Sequence, residues 1–489
     1  MKLFSNYTFW FAVGTQTLYG PEVIAQVTDH AKKMAAFFND NATIPATVVP
    51  VVVTSPEEIT SFFIKANADP NCAGVMTWMH TFSPSKMWIQ GLMENTKPLL
   101  HLHTQFNREI PWDTIDMDFM NLNQSAHGDR EHGFIHTRLG KKRKVVVGFW
   151  QDEAVVERIA LWMRAAIAFA DGKASKVSRL GDNMREVAVT DGNKVAAQIK
   201  FGWQVNGYGV AELAERYKAV NQREVEQKLA EYEARYFVPD ALKRDSTQFQ
   251  KVREQAAIEI ALRQFLHDTG AGAFTTTFED LAGLPQLPGL AVQNLMAEGI
   301  GFGAEGDWKT AALVRAMKTM SKGLSGGTSF MEDYTYNLVQ GQEMVLGAHM
   351  LEVCPTIAGE KARVEVHSLS IGGKDDPARL VFDAHPGKAV AASMVELQDN
   401  YRLIINEVEA IALPHAMPKL PVARALWKPY PDFKSGLELW ILAGGAHHTS
   451  FSYAACTEML EDYARIADIE TVVIGKDTNA AELRRSLEV

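Results

Sequence analysis

The sequence predicts an α/β protein: two doubly wound α/β domains followed by a β-rich C-terminal domain. Three observations predict it. In the first third, short β-branched and apolar runs alternate with stretches of helical periodicity, the pattern of buried parallel strands joined by crossover helices. The middle third is richer in long charged helices, followed by two short apolar segments. From about residue 328 the texture changes to strand-length segments separated by turn signals, as in an antiparallel sheet. The expected domains are 1–175, 176–327 and 328–489, in keeping with the roughly three domains that 489 residues suggest.

The elements follow in order. Residues 9–13 form an apolar strand, and Gly14 and Gly20 frame the loop after it. Pro21 suits a first helical turn, so the spacing predicts a helix over 22–38. Residues 47–53 are β-branched and apolar, and Ser55-Pro56-Glu57-Glu58 opens a second helix. Residues 74–79 and 98–103 read as buried strands with 83–95 helical between them. A strand over 145–150 and an amphipathic helix over 152–170 close the first domain. In the second, one long helix is expected over 211–236 and another over 249–267, with short strands at 273–278 and 300–303. In the third, strands are expected at 363–369, 378–382, 388–397 and 401–410, with turns at Gly372-Gly373 and His385-Pro386-Gly387. Helices are few there until 457–467.

A formal net charge of −10 argues against a nucleic-acid partner, because phosphate backbones need a concentrated basic surface. The one basic cluster, Lys141-Lys142-Arg143-Lys144, leads into the apolar run 145–149 and reads as a solvated strand edge. Cys72, Cys354 and Cys456 lie far apart and form neither a disulfide framework nor a zinc motif. Asn6 and Thr8 interrupt the first apolar stretch, and no small-residue cleavage site follows it. Nothing approaches the ~18 apolar residues of a membrane helix. A soluble, cytoplasmic protein without a membrane partner is expected.

Four stretches carry chemistry. Gly301–Gly306 spells G-x-G-x-x-G before a helical segment, the pattern of a dinucleotide site. Glu305 stands inside that loop, however, where its carboxylate would repel a pyrophosphate. Alternatively, the glycines form a plain turn, or they aim Glu305 into a cavity. Glu332, beside Asp333 and after a glycine-rich loop, suits either acid–base chemistry or a surface cap. His349 lies in the apolar stretch 345–351 and is either a packed core residue or a ligand. His447 and His448 follow Gly444-Gly445, with the same two readings. Together, two glutamates and two histidines without a thiolate suit a borderline-hard divalent ion such as Mn²⁺. Four such ligands would leave room for two adjacent oxygens of a polyol or hydroxy-carbonyl. The amide-rich stretch 121–131 and Asn183-Met184-Arg185 are solvated loops or hydrogen-bonding contributors to a site.

Seven motifs, GTQTLYG (14–20), NQSAHGDREHGF (123–134), GDNMR (181–185), GFGAEGDWKTAAL (301–313), SFMEDYTY (329–336), SIGGKDDPARLVFD (370–383) and GGAHHTSFS (444–452), resemble the L-arabinose isomerase family. They run in order along nearly the whole chain. The resemblance implies three domains, a divalent metal (usually Mn²⁺, one per subunit), and conversion of L-arabinose to L-ribulose, with D-galactose to D-tagatose as a side activity. It implies a homohexamer whose active sites draw on neighbouring subunits. The family's metal ligands fall on Glu305, Glu332, His349 and one of the adjacent pair, taken as His448. Its sugar-pocket positions fall on Gln16, Leu18, Phe82, His127, Met184, Phe278 and Ile371, with His447 expected beside the substrate or the metal shell. Glu305 and Glu332 are the expected acid and base of an enediol route, which moves a proton between C1 and C2; a metal-assisted hydride shift is the other route open to such a site. Competing readings are another metal-dependent sugar isomerase such as one acting on fucose, a metal-dependent aldolase, a sugar-binding protein without chemistry, and a NAD-dependent oxidoreductase.

Overall fold

The computed structural model describes residues 2–243, 246, 248–369, 371–398 and 400–487. The chain divides into two compact units, residues 1–170 with 461–468 and residues 171–460 with 469–489.

The first unit is built on a parallel sheet of β1 (Thr8–Gly14), β2 (Thr47–Val53), β3 (Cys72–Met79), β4 (Leu99–His103) and β5 (Lys144–Val147), in the order β2-β1-β3-β4-β5. Every residue of β3 is buried, as expected for a central parallel strand covered on both faces. The helix Gly20–Asp40 starts with Pro21 in its first turn and buries Val27, Ala31, Met34, Ala35 and Phe38, one stripe at helical spacing. Ser55 caps the next helix by accepting from the Glu58 amide at 3.2 Å. Because β1 pairs with β2 on one side and β3 on the other, the chain winds away in opposite directions from this point. The crevice at the carboxyl ends of the two strands is where such sheets bind ligands. Gln16 follows β1 there and Phe82 follows β3.

Two expectations are corrected here. The basic cluster is not wholly solvated: Lys144 is buried, its Nζ 2.8 Å from Asp462 Oδ2, because an inward-facing strand position must pair its charge. Of the two readings of the 121–131 stretch, the loop holds only for residues 123 and 124, since 121–122 end one helix and 125–131 begin another. The helix Ser125–Arg138 buries Asp129, His132 and His136 on one side.

The second unit begins with a parallel sheet of β6 (Lys176–Leu180), β7 (Gln204–Tyr208), β8 (Ala271–Thr275) and β9 (Gly301–Gly303), ordered β7-β6-β8-β9. The single helix expected over 211–236 is two, Val210–Ala219 and Gln222–Arg235. Val220 is extended, and Asn221 caps the second helix by accepting from the Arg223 amide at 2.8 Å. A short amide side chain offering the backbone an acceptor breaks a helix whose apolar period continues through it.

The rest of this unit holds β10 (Thr328–Asn337), β11 (Met344–Ala348), β12 (Arg363–Val366), β13 (Ala378–Val381), β14 (Gly387–Leu397), β15 (Asn400–Ile411), β16 (Arg424–Pro429), β17 (His448–Ser452) and β18 (Glu470–Ile474). β12 and β13 make a small antiparallel pair. Six strands pair in the cycle β14-β17-β10-β11-β16-β15 and back to β14, which closes the sheet into a barrel, and β18 adds to β15 in parallel. A helix not expected from sequence, Phe433–Leu442, is capped by Asp432. Phe274 and Phe302 of the four-stranded sheet share one core with Phe330, Trp427 and Phe451 of the barrel. No helix of the described residues is long and apolar enough to cross a membrane.

Candidate functional site

The site is assembled from two sources within the second unit. The barrel contributes through strand register. Glu332 on β10 lies directly opposite His448 on β17 and opposite Ala348, the residue before His349, on β11. Directly opposed residues project to the same side of a sheet, so Glu332 and His448 emerge together. The four-stranded sheet contributes Glu305 from the loop between β9 and the helix Trp308–Met320. Glycine has a physical reason here. A Cβ on Gly303 would collide with the backbone of Asp307 and Ala311, and at Gly306, whose φ is +84°, a Cβ would stand 2.5 Å from the Asn183 Cα. Glu305 itself has a φ of +62°, a left-handed conformation that an L side chain adopts at a cost.

The donor atoms of Glu305, His349 and His448 lie within 4.8 Å of one another. Glu305 Oε2 is 3.7 Å from His448 Nε2, and Glu332 Oε2 is 3.9 Å from His349 Nε2. Each buried histidine is held from behind by a buried carboxylate that sequence reading missed. His448 Nδ1 is 3.1 Å from Asp307 Oδ2, and His349 Nδ1 is 2.5 Å from Glu352 Oε2. A carboxylate on Nδ1 fixes the ring and leaves Nε2 as the free donor. His448 Nε2 is fully buried and has no hydrogen-bond partner, which a native interior tolerates only where something else satisfies it. The residues therefore fit a divalent cation: carboxylates and imidazoles, no thiolate, and an orphaned Nε2 facing Glu305. The missed partners had only faint signals, Asp307 as an Asp-x-x-Thr helix start and Glu352 as one carboxylate in the apolar stretch 350–354.

The electrostatics follow from these contacts. Burial pushes the Glu305 carboxyl up, but His447, His448 and His349 outweigh it and hold it below the usual range. Burial works against a charged His349, yet the Glu352 charge and hydrogen bond raise it. His447 is raised by its contact with Glu305. Asp333, next to Glu332, is pushed up to about 7 by burial and then by the Glu332 charge.

The remaining expected residues are placed as follows. His447 precedes β17, is 39 % exposed, and its Nε2 is 3.8 Å from Glu305 Oε2. Phe278 lies nearly parallel to the His349 ring at 6.0 Å. The Met184 amide donates to Glu305 O at 3.1 Å. Ile371 is exposed beside Gly372, where a Cβ would stand 3.4 Å from Phe278 O; Ser370, which opens that motif, lies outside the described residues. A polar cavity of about 290 Å³ is walled by Asp182, Asn183, Met184, Arg185 and Asp191 on one side and by Thr277, Glu279 and Asp280 on the other. In the first unit, Gln16 Nε2 donates to Phe82 O at 2.9 Å and the Phe82 ring lies 5.1 Å from His127, while Leu18 is exposed.

The comparisons with known proteins cover the same ground. Three family models match consecutive parts of the chain: L-arabinose isomerase N-terminal domain over 3–174, central domain over 176–323 and C-terminal domain over 327–470. An L-arabinose isomerase of Thermotoga sp. (strain RQ2) is 61% identical over 483 residues, covering 99% of this chain and 97% of its own. One of Geobacillus stearothermophilus is 60% identical over 483 residues, with the same coverage. One of Anoxybacillus flavithermus (strain DSM 21510 / WK1) is 59% identical over 488 residues, covering 100% and 97%. With both α/β sheets, the closed barrel and full-length identity of this size all in agreement, the chain belongs to the L-arabinose isomerase family.

Proposed function

We propose that the chain interconverts L-arabinose and L-ribulose, an aldose–ketose isomerisation, with one Mn²⁺ per subunit held by Glu305, Glu332, His349 and His448. The observation that carries the reading is the buried, partnerless Nε2 of His448 facing Glu305. The names of the relatives support the substrate. When bound, the cation would polarise the carbonyl and offset negative charge on the substrate oxygens. The chain's own residues move the protons. One of Glu305 and Glu332 takes the proton from C2 of the open-chain aldose while the other delivers a proton to O1. The roles then exchange as a proton is added at C1 and the O2 proton leaves. His447 contacts the substrate from the open side of Glu305, and Met184, Phe278 and Ile371 line the sugar's place. Gln16, Leu18, Phe82 and His127 complete a neighbour's site in a homohexamer. D-galactose is converted to D-tagatose as a side reaction. The setting is cytoplasmic, and neither nucleic acid nor membrane is a partner.

The test is to strip divalent ions with a chelator, add back Mn²⁺ and measure L-ribulose from L-arabinose. Activity should vanish and return. Absence of L-ribulose from the Mn²⁺-replete protein overturns the substrate, and undiminished turnover after verified chelation overturns the metal. Turnover in deuterated water should place deuterium on carbon, since a carboxylate-held proton exchanges with solvent. Unlabelled carbon after many turnovers would instead support a direct hydride shift.

A further inference from the structure

Lys309 sits in the first turn of the helix Trp308–Met320 and is 2 % exposed. A buried ammonium is expensive unless its donors are used. Its Nζ donates to Val189 O at 2.9 Å and to Asp191 O, and lies 4.0 Å from Asp307 Oδ1. An apolar side chain of similar length would fill the same space without that desolvation, so helix packing alone does not call for a lysine. The two carbonyls belong to the segment that walls the polar cavity. Burial of Lys309 lowers its pKa while Asp307, Glu396 and Asp191 oppose that.

The same segment is pinned at other points. Asn183 Nδ2 donates to Thr190 O at 2.5 Å and to Gly306 O at 3.2 Å. Beyond its far end, Glu396 Oε2 accepts from the Asn193 amide at 2.6 Å, and Tyr401 Oη donates to Asn193 O at 2.9 Å. Gly192 passes so close to Trp308 and Glu396 that a Cβ would stand 2.9–3.0 Å from them. Lys309 is thus the one cation of this set that ties the cavity wall to Asp307, which holds His448.

We propose that Lys309 is a positioning residue that holds the 182–191 wall in place, and thereby governs how tightly the sugar binds rather than whether the metal does. This rests on reading the cavity as the sugar's place. The experiment is Lys309→Met, of similar length and uncharged, studied as full-length protein. KM and kcat for L-arabinose are measured with Mn²⁺, Mn²⁺ affinity by calorimetric titration of the chelated protein, and trypsin cleavage after Arg185, whose side chain is 73 % exposed.

KM should rise by about tenfold or more while kcat and Mn²⁺ affinity stay within about threefold, the signature of lost binding rather than lost chemistry. Cleavage after Arg185 should quicken by roughly tenfold without faster cleavage elsewhere, as local opening rather than global unfolding predicts. Unchanged KM and unchanged cleavage overturn the proposal. A fall in Mn²⁺ affinity that matches the fall in activity also overturns it, since Lys309 would then act through Asp307 on the metal. If Lys309→Met does not yield folded protein, Tyr401→Phe and Glu396→Ala remove the hydrogen bonds that hold Asn193 from the barrel side. They should show the same KM rise and local cleavage, and wild-type behaviour in both overturns the proposal. A wild-type protein that forms no L-ribulose would count against the proposed function, and the cleavage comparison would still decide whether Lys309 holds the segment.

Discussion

At the scale of single residues, the adjacent histidines are chemically identical in sequence and different in the fold. His448 is buried with its Nδ1 on Asp307, whereas His447 is part-exposed with its Nε2 beside Glu305. A ring fixed from behind presents a lone pair to a cation at little entropic cost. His448→Ala should therefore lose most bound Mn²⁺, and His447→Ala should keep it while raising KM. Metal content after gel filtration checks both; Mn²⁺ retained in His448→Ala and lost in His447→Ala would mean the ligand is the other imidazole. Glu305 is the residue where local preference was overruled. Its positive φ costs roughly 1–2 kcal/mol, and such strain concentrates at functional sites.

At the scale of elements, strand register assembles the site. Moving β10 by one residue against β17 would send Glu332 to the opposite face. The helix start at Asp307 serves two ends at once. Its Oδ1 caps the helix by accepting from the Thr310 amide at 3.1 Å, and its Oδ2 holds His448. Asp307→Ala should lower stability by about 1 kcal/mol through the lost cap and weaken Mn²⁺ binding by something like 10–100-fold. Asn221→Ala removes a cap far from the site in sequence and role, so it should lose stability by about the same 1 kcal/mol with Mn²⁺ affinity intact. Equal metal affinity in the two variants would deny Asp307 its role in holding the ligand.

At the scale of the whole molecule, the first unit stores histidines that titrate against folding. Burial, with His30 beside it, depresses His80 to about 3; burial and His101 depress His136 to about 2; burial and His136 hold His132 well below its ordinary value. Below the unfolded value of about 6.5 the unfolded chain binds protons that these folded groups refuse. Their stabilisation is therefore complete above about pH 6.5 and is lost progressively as pH falls, by up to about 1.4 kcal/mol per pH unit for each. His103, raised by Asp129, acts in the opposite sense and offsets part of this. The melting temperature should drop between pH 7 and 5, and His136→Gln should shallow that drop; a flat profile refutes the prediction. The proposed hexamer adds a second test at this scale. Mixing Gln16→Ala with Glu305→Ala subunits should restore some activity through hybrid sites, and no recovery after demonstrated subunit exchange argues for sites built from one chain.

Local sequence suffices for the alternation of strand and helix in the first unit, the change to β-structure near residue 328, and the residue types of a carboxylate–imidazole cluster. Those signals are local: a β-branched run, a Pro at a first turn, a glycine loop and a ligand chemistry all act over a few residues. The caps at Asn221 and Asp432 and strands β10, β11, β16 and β17 are not legible as such: polar residues interrupt the apolar period of β10 and β17, and β11 and β16 are too short to show one. Which polar groups are buried together depends on contacts between distant parts of the chain. Asp307, Glu352 and Lys309 read as ordinary charged residues until register and helix packing exclude water from them. The energy that gives each its role is the cost of leaving a buried charge or imidazole unpaired, and that cost exists only once distant parts of the chain have met.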